Sequence, residues 1–192
     1  STVVPISLLN ESWLGNKIII MLEPRRVAAR MVAVQMAKLL GEEVGQSVGY
    51  QVKMESCYSK QTKLLVVTEA ILVRKLQSDQ ALEDVAMVIF DEFHERSIHT
   101  DLSLALCLQV QELLRPDLKL LIMSATLDSN KLTNLLGDIP VINSKGKIYD
   151  VENIYLETNI KQPDTKSINT LLLNITLKSI KEDEGDILVF LA

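Results

Sequence analysis

Short runs of consecutive apolar residues alternate along most of this chain with longer stretches in which apolar residues return every three or four positions. The first pattern is that of buried strands and the second that of helices with one buried face. Strands are expected at Lys17 to Leu22 (KIIIML), Leu64 to Val67, Val85 to Phe90 (VAMVIF) and Leu118 to Met123, with a weaker run at Val141-Ile142. After Glu23-Pro24 stops the first run, Ala28, Val32, Met36, Leu39 and Leu40 share a helical face, and Gly41 suits the position just past its end. Thr68 is placed to cap a helix running through Leu76. Leu102 to Val110 alternates as a half-exposed strand would. Its lack of β-branched residues before Val110, and the need for a crossover between parallel neighbours, favour a helix. Apolar strands separated by helices describe an α/β domain whose mostly parallel sheet is covered on both faces.

The rhythm changes after residue 143. Residues 144–166 are polar, contain Gly146 and Pro163, and read as a connector with one extended piece at Val151 to Leu156. Ile168, Leu171, Leu172 and Ile175 then fit a helix, and Ile187 to Leu191 a further strand. The organisation expected is a first domain over 1–143, the connector, and the beginning of a second domain over 167–192.

Composition narrows the classes. Of 192 residues 47% are apolar but only 4% aromatic, so the core is built of Leu, Ile, Val and Met. A net charge of −5 argues against coating nucleic acid by bulk positive charge, so phosphate contacts would need a local cluster of Arg and Lys. Cys57 and Cys107 show no CxxC spacing, which suggests reduced thiols without a disulfide partner and a cytoplasmic location. The apolar runs are too short to span a bilayer, so no membrane partner is expected.

In open α/β sheets ligands sit beyond the carboxyl ends of the strands. Three predicted strands end there in polar groups: Glu23-Pro24-Arg25-Arg26, Asp91-Glu92-Phe93-His94 and Ser124-Ala125-Thr126. An adjacent acid pair suits hydrolysis of a magnesium nucleotide, one carboxylate holding the metal's water shell and the next activating a water. Alone, an Asp-Glu pair more often just opens a solvated loop, Arg-Arg is a solvated pair and Ser-Ala-Thr a helix cap. His94-Glu95 with His99 is one residue too long for a zinc-binding H-E-x-x-H pair.

The surroundings change those odds. Val88 to Ser97 (VIFDEFHERS) resembles motif II of the DEAH-box helicases, and Leu121 to Asp128 (LIMSATLD) their motif III. Leu22 to Arg30 (LEPRRVAAR) is similar to motif Ia, Val67 to Leu72 (VTEAIL) to motif Ib, and Val48 to Glu55 (VGYQVKME) to the segment between them. Leu-Glu-Pro-Arg-Arg together with Asp-Glu-Phe-His resembles the bacterial HrpB-type branch. Ala70, Lys53 and Lys147 depart from the Gly, Arg and Arg common in the family.

The resemblance implies a RecA-like three-layer domain of the P-loop NTPase type and a motor that couples MgATP hydrolysis to movement along RNA or single-stranded nucleic acid. It implies that Asp91 binds Mg2+ through water, that Glu92 is the general base, that His94 links the nucleotide to the nucleic-acid side, and that Ser124 and Thr126 pass hydrolysis into domain motion. Arg25 and Arg26 would grip phosphates at a helix start, with Thr68 and Glu69 doing similar work at the next. No G-x-x-x-x-G-K-[ST] loop occurs in these residues. The expectation is that this loop and the first strand lie upstream, that Ser1 takes the Mg-ligating hydroxyl position, and that Ser1 and Thr2 line the nucleotide. A second RecA-like domain would complete the site. The 192 residues alone would then hydrolyse ATP negligibly. The rival expectation is a helicase-like module that binds nucleic acid or a partner without catalysis.

Overall fold

The computed structural model describes residues 1–125, 136–137, 139–144, 146, 149–155 and 165–190. The chain divides into two units, Ser1–Val141 and Ile142–Ala192. The first carries helix α1 (Val3–Ser7), strand β1 (Ile18–Leu22), helix α2 (Arg26–Leu39), strands β2 (Val48–Val52), β3 (Glu55–Cys57) and β4 (Leu64–Val67), helix α3 (Glu69–Ser78), strand β5 (Val85–Phe90), helix α4 (Ile98–Leu113) and strand β6 (Lys119–Ile122). In the second unit the described helix is α5 (Thr165–Glu182).

The six strands form one sheet in the order β3-β2-β4-β1-β5-β6, parallel throughout except for the β2–β3 hairpin. Side chains alternate across it, as the two-residue period of a strand requires. Ile19, Met21, Leu64, Val66, Met87 and Ile89 pack with Ala29, Ala33 and Met36 of α2. Ile20, Leu22, Leu65, Val67, Val88 and Phe90 pack on the other face with Leu72 and Leu76 of α3 and Leu104, Cys107 and Val110 of α4. Helices therefore cover both faces of the expected parallel sheet. All six residues of β5 are buried. At about 1.5–3 kcal/mol for each fully buried large aliphatic or Phe side chain, this strand firmly anchors whatever follows Phe90.

The strands expected from the apolar runs are present at Ile18–Leu22, Leu64–Val67, Val85–Phe90 and Lys119–Ile122. The ambiguous Leu102 to Val110 segment lies inside α4. Leu40 is the C-cap of α2, and Gly41 follows with φ +72°, a conformation that favours glycine. Four local expectations need correction. β2 and β3 were not anticipated. Thr68 occupies the N-cap position of α3, but its side chain makes no capping hydrogen bond; its carbonyl accepts the Ile71 and Leu72 N–H groups. Val141-Ile142 is exposed and forms no strand, a two-residue run having little to offer a ladder. Ile187–Phe190 likewise carries no strand pairing among the described residues, and Leu191 lies outside them. Val151–Tyr155, expected only as an extended piece, is neither helix nor paired strand, and Leu156 lies outside the described residues. The helix expected from Ile168 to Ile175 is the middle of α5.

Candidate active site

Strands β1 and β5 are neighbours with Leu22 opposite Phe90, so the next residues, Glu23 and Asp91, stand side by side at the carboxyl edge. The backbone remains tied there: the Asp91 N–H donates to Leu22 O (3.1 Å) and the Glu23 N–H to Val67 O (2.9 Å). Both acids are buried, at 3% and 6% relative exposure. Asp91 Oδ1 accepts the Glu92 N–H at 2.9 Å, whereas buried Oδ2 has no hydrogen-bond partner. Burial, then interaction with Asp91 and the added charge of Glu92, push the Glu23 carboxyl up to about 8. Burial disfavours the ionised form, and like charges disfavour it further.

The residue after Asp91 is held in an unusual backbone state. Glu92 has φ +49° and ψ +36°, the left-handed region, which costs an L-residue about 1–2 kcal/mol. The adjoining contacts fix this turn. The Phe93 N–H donates to Met123 O (3.1 Å) and the Met123 N–H to Phe90 O (2.8 Å), binding the ends of β5 and β6 together. Phe93 is itself buried. The Glu92 carboxylate then lies between two polar groups: Ser1 Oγ donates to Oε1 at 3.5 Å, and His94 Nδ1 is 3.4 Å from Oε2.

Ser124 directly follows Met123 and is half-buried beside this turn. Thr126 lies outside the described residues, as do Leu127 and Asp128 of the same motif. Thr2 occupies the N-cap position of α1 without a side-chain capping bond. The structure thus gathers Ser1, Asp91, Glu92 and His94 at one place, and adds Glu23, which local sequence reading left as part of a run.

Among the described residues no group of three or more His, Cys, Asp or Glu side chains is arranged to cage a metal. An orphan buried carboxylate oxygen beside a second acid suits a magnesium ion held through its own waters and a nucleotide phosphate. Magnesium usually keeps several waters and takes only one or two carboxylates.

A second polar rim is formed by the starts of three helices. Arg25 is the N-cap residue of α2, and its guanidinium pairs with Glu95 Oε1 at 2.9 Å. Arg26 donates to Lys53 O at 2.9 Å. Glu69, in the first turn of α3, accepts hydrogen bonds on Oε1 from Ser97 Oγ (2.7 Å) and from Thr100 Oγ1. Ser97 Oγ also accepts the Thr100 N–H at 2.9 Å, capping α4. Arg96 holds Asp101 through two bonds (3.1 and 2.7 Å) and lies over the Phe93 ring, 5.4 Å from its centre. Glu95, Ser97 and Thr100 were missed as partners of this rim. A Ser immediately before a helix-patterned segment was nevertheless a readable cap signal.

A family model described as DEAD/DEAH box helicase matches residues 2–135. The chain belongs to this family. It is 45% identical over 191 residues to the ATP-dependent RNA helicase HrpB of Escherichia coli (strain K12), an alignment covering 100% of this chain and 23% of that protein. The crystal structure of the Escherichia coli DEAH/RHA helicase HrpB is similar at a TM-score of 0.85 and 44% identity, covering 96% of this chain and 23% of the other. That of the E. coli DExH-box NTPase HrpB is similar at 0.78 and 45%, covering 100% and 23%. The α/β layers and mostly parallel sheet are those of the RecA-like domain of these helicases. This chain spans about a quarter of the length of the relatives it matches. Among the described residues no helix is long and apolar enough to cross a membrane.

Proposed function

We propose that this DEAD/DEAH-family chain supplies one half of the catalytic site of an ATP-driven nucleic-acid helicase, acting on RNA in the cytoplasm. The observation that carries this reading is the pair at the end of β5: a buried Asp91 with an unpartnered Oδ2, followed by Glu92 in a strained left-handed turn that aims its carboxylate at Ser1 and His94. Non-glycine residues held in such conformations cluster at active sites. In this assignment Asp91 and the Ser1 hydroxyl hold the shell of a Mg2+ ion, with Thr2 beside the nucleotide. When bound, the ion would neutralise charge on the transferred phosphoryl group.

Glu92 takes the proton of the attacking water, and His94 orients its carboxylate. Ser124 and Thr126 follow the end of β6, whose Met123 backbone holds the Phe93 turn, and so relay its state. Arg25, Arg26 and Thr68, at the starts of α2 and α3, receive phosphates of the strand, helped by the positive helix ends. The relative named as an ATP-dependent RNA helicase favours RNA over DNA. Residues 144–166 are assigned as a connector and 167–192 as the start of a second RecA-like domain, whose cationic groups would complete the site. These 192 residues contain no Gly-Lys phosphate loop, so by themselves they are expected to turn over ATP negligibly.

The test is Glu92→Gln in the full-length protein. Turnover of MgATP is expected to fall by about 10²–10⁴-fold while nucleotide binding, followed by calorimetry, is retained. Turnover equal to that of the unmodified protein removes Glu92 from its role. Strand binding without nucleotide-dependent turnover in the unmodified protein would favour a non-catalytic module instead.

A further inference from the structure

We infer that Glu69 is a positioning residue rather than a strand contact: its carboxylate locks the start of α3 to the start of α4, and so to the Glu92–His94 turn. The inference rests on the motor reading above and reassigns one residue within it.

The junction joins residues far apart in the chain. Glu69 Oε1 accepts from Ser97 Oγ at 2.7 Å and from Thr100 Oγ1, across 28 and 31 residues of sequence. Ser97 Oγ closes the triangle by accepting the Thr100 N–H at 2.9 Å. One carboxylate is therefore shared by the first turns of two helices, where the partial positive charge of both favours an anion. The sign of the charge also argues against a phosphate grip. A carboxylate aimed at a phosphate repels it, whereas one turned between two hydroxyls and two helix ends does not.

The path from this junction to the hydrolytic turn is short and fully bonded. Ser97 follows Arg96, which is fixed by Asp101 and by the face of Phe93. Phe93 is buried, its N–H held by Met123 O, and it lies one residue beyond Glu92. On the other side, Glu69 follows Thr68 at the N-cap of α3. The lock fixes the distance between a helix start assigned to the strand and a turn assigned to water activation, and that fixed distance lets occupancy of one be felt at the other.

The experiment measures, in the full-length protein, the concentration of single-stranded oligouridylate giving half-maximal stimulation of ATP turnover. Thr100 is buried at 8% exposure and presents no surface to a strand, so Thr100→Val reads the lock alone. It is expected to raise the half-saturating concentration about five- to tenfold while leaving basal turnover and the KM for ATP unchanged. Thr100→Ser keeps the hydroxyl and stays at the unmodified value. Glu69→Ala shifts in the same direction and at least as far as Thr100→Val, because it also removes the bond from Ser97. Glu69→Gln, whose Oε1 still accepts both hydroxyls, remains near the unmodified protein. The double variant Glu69→Ala/Thr100→Val is no worse than Glu69→Ala, because the bond to Glu69 that Thr100→Val removes is already gone in Glu69→Ala.

Additive shifts, or an effect of Glu69→Ala with none from Thr100→Val, put Glu69 on the strand and overturn the lock. Equal shifts for Thr100→Ser and Thr100→Val assign the effect to packing and overturn it too. If Thr100→Val does not fold, the Glu69→Gln and Glu69→Ala pair decides, and equal values overturn the proposal. An unmodified protein without Glu92-dependent, oligouridylate-stimulated turnover removes the motor reading and the lock together, whereas additive shifts in an active motor remove the lock alone.

Discussion

At the ends of β1 and β5 three carboxylates crowd together: Glu23 and Asp91 are buried, one oxygen of Asp91 has no partner, and Glu92 sits in a left-handed turn. At the starts of α2, α3 and α4 the opposite holds: Arg25 is answered by Glu95, Arg26 by a carbonyl, Arg96 by Asp101 and Glu69 by two hydroxyls. Both rims belong to the same domain, and similar side chains were available to each. The difference teaches where this fold accepts cost. A buried carboxylate oxygen without a hydrogen-bond partner is kept where a cation and a reacting phosphate are assigned, while the helix-start side chains already hold partners within the chain. Positive-φ backbone occurs at both rims, at Glu92 and at Arg96.

The strongest way to break this comparison is Asp91→Asn. It removes the anion that the crowded rim is assigned to place near the metal, and turnover of the full-length protein is expected to fall by about two to three orders of magnitude. Stability should not follow. Asparagine is isosteric and keeps the Oδ1 acceptor for the Glu92 N–H, so the melting temperature should hold. A large loss of stability together with the loss of turnover would mean that Asp91 is a structural group.

Glu23→Gln sharpens the same point through pH. Folding raises the Glu23 carboxyl from 4.5 to about 8, so the folded protein holds a proton that the unfolded chain has released. Stability is therefore highest below about pH 4.5 and falls as pH rises, the fall being complete once pH passes about 8. Urea denaturation from pH 5 to 9 should show this decline in the unmodified protein and its absence in Glu23→Gln. At pH 9 the variant is expected to be more stable by roughly 2–4 kcal/mol. Asp117 behaves oppositely: Arg115, with help from Lys17, holds it well below the usual carboxylate range, so its contribution is lost only in strong acid, outside that window. An unchanged slope in the variant would remove crowding as the cause.

How much of this could be read from the chain depends on how local each feature is. β1, β4, β5 and β6 were legible because buried parallel strands are nearly continuous apolar runs. β2 was hidden by Gly49 and Gln51 within it. Gly49 is required there, since a Cβ would lie 2.6 Å from both Cys57 O and Tyr58 Cβ. Asp91, Glu92 and His94 were singled out by the resemblance of VIFDEFHERS to a helicase motif; their place after an apolar strand alone would not have done so. Glu23 was not legible as their companion, because that depends on β1 lying beside β5, a fact of strand order. The same holds for Glu69, whose acceptor role depends on residues 28 and 31 positions away. Residue types announced the chemistry, and non-local pairing decided who shares it.

A smaller effect is expected from Glu92→Gly. Glycine adopts φ +49° without a Cβ penalty, and the gain is partly offset by the greater freedom of glycine in the unfolded chain. The net stabilisation should be at most about 1 kcal/mol, read from urea midpoints, alongside loss of turnover. A destabilised variant would mean that the turn is held by the Glu92 side chain rather than imposed upon it.

The smallest stability change belongs to the helix-start rim, and it is the most informative for that reason. Arg25 is largely exposed, with 73% of its side-chain surface accessible, and its partner Glu95 retains 33%. An ion pair this exposed contributes about 0.2–1 kcal/mol and is screened by salt, so Arg25→Ala should leave the melting temperature almost unmoved. Its effect on strand binding should be separable. If Arg25 exchanges Glu95 for a phosphate when the strand arrives, the variant binds more weakly at every sequence. The slope of log affinity against log salt then falls by about one. Glu95→Gln should act in the opposite sense, releasing Arg25 and strengthening binding at low salt. The two variants share a lost ion pair but differ in whether the cation remains, so matched losses of affinity in both would show that the pair itself, not the arginine, serves the strand. Unchanged affinity and slope in Arg25→Ala would take the phosphate grip away from the start of α2 and leave that rim as scaffold alone.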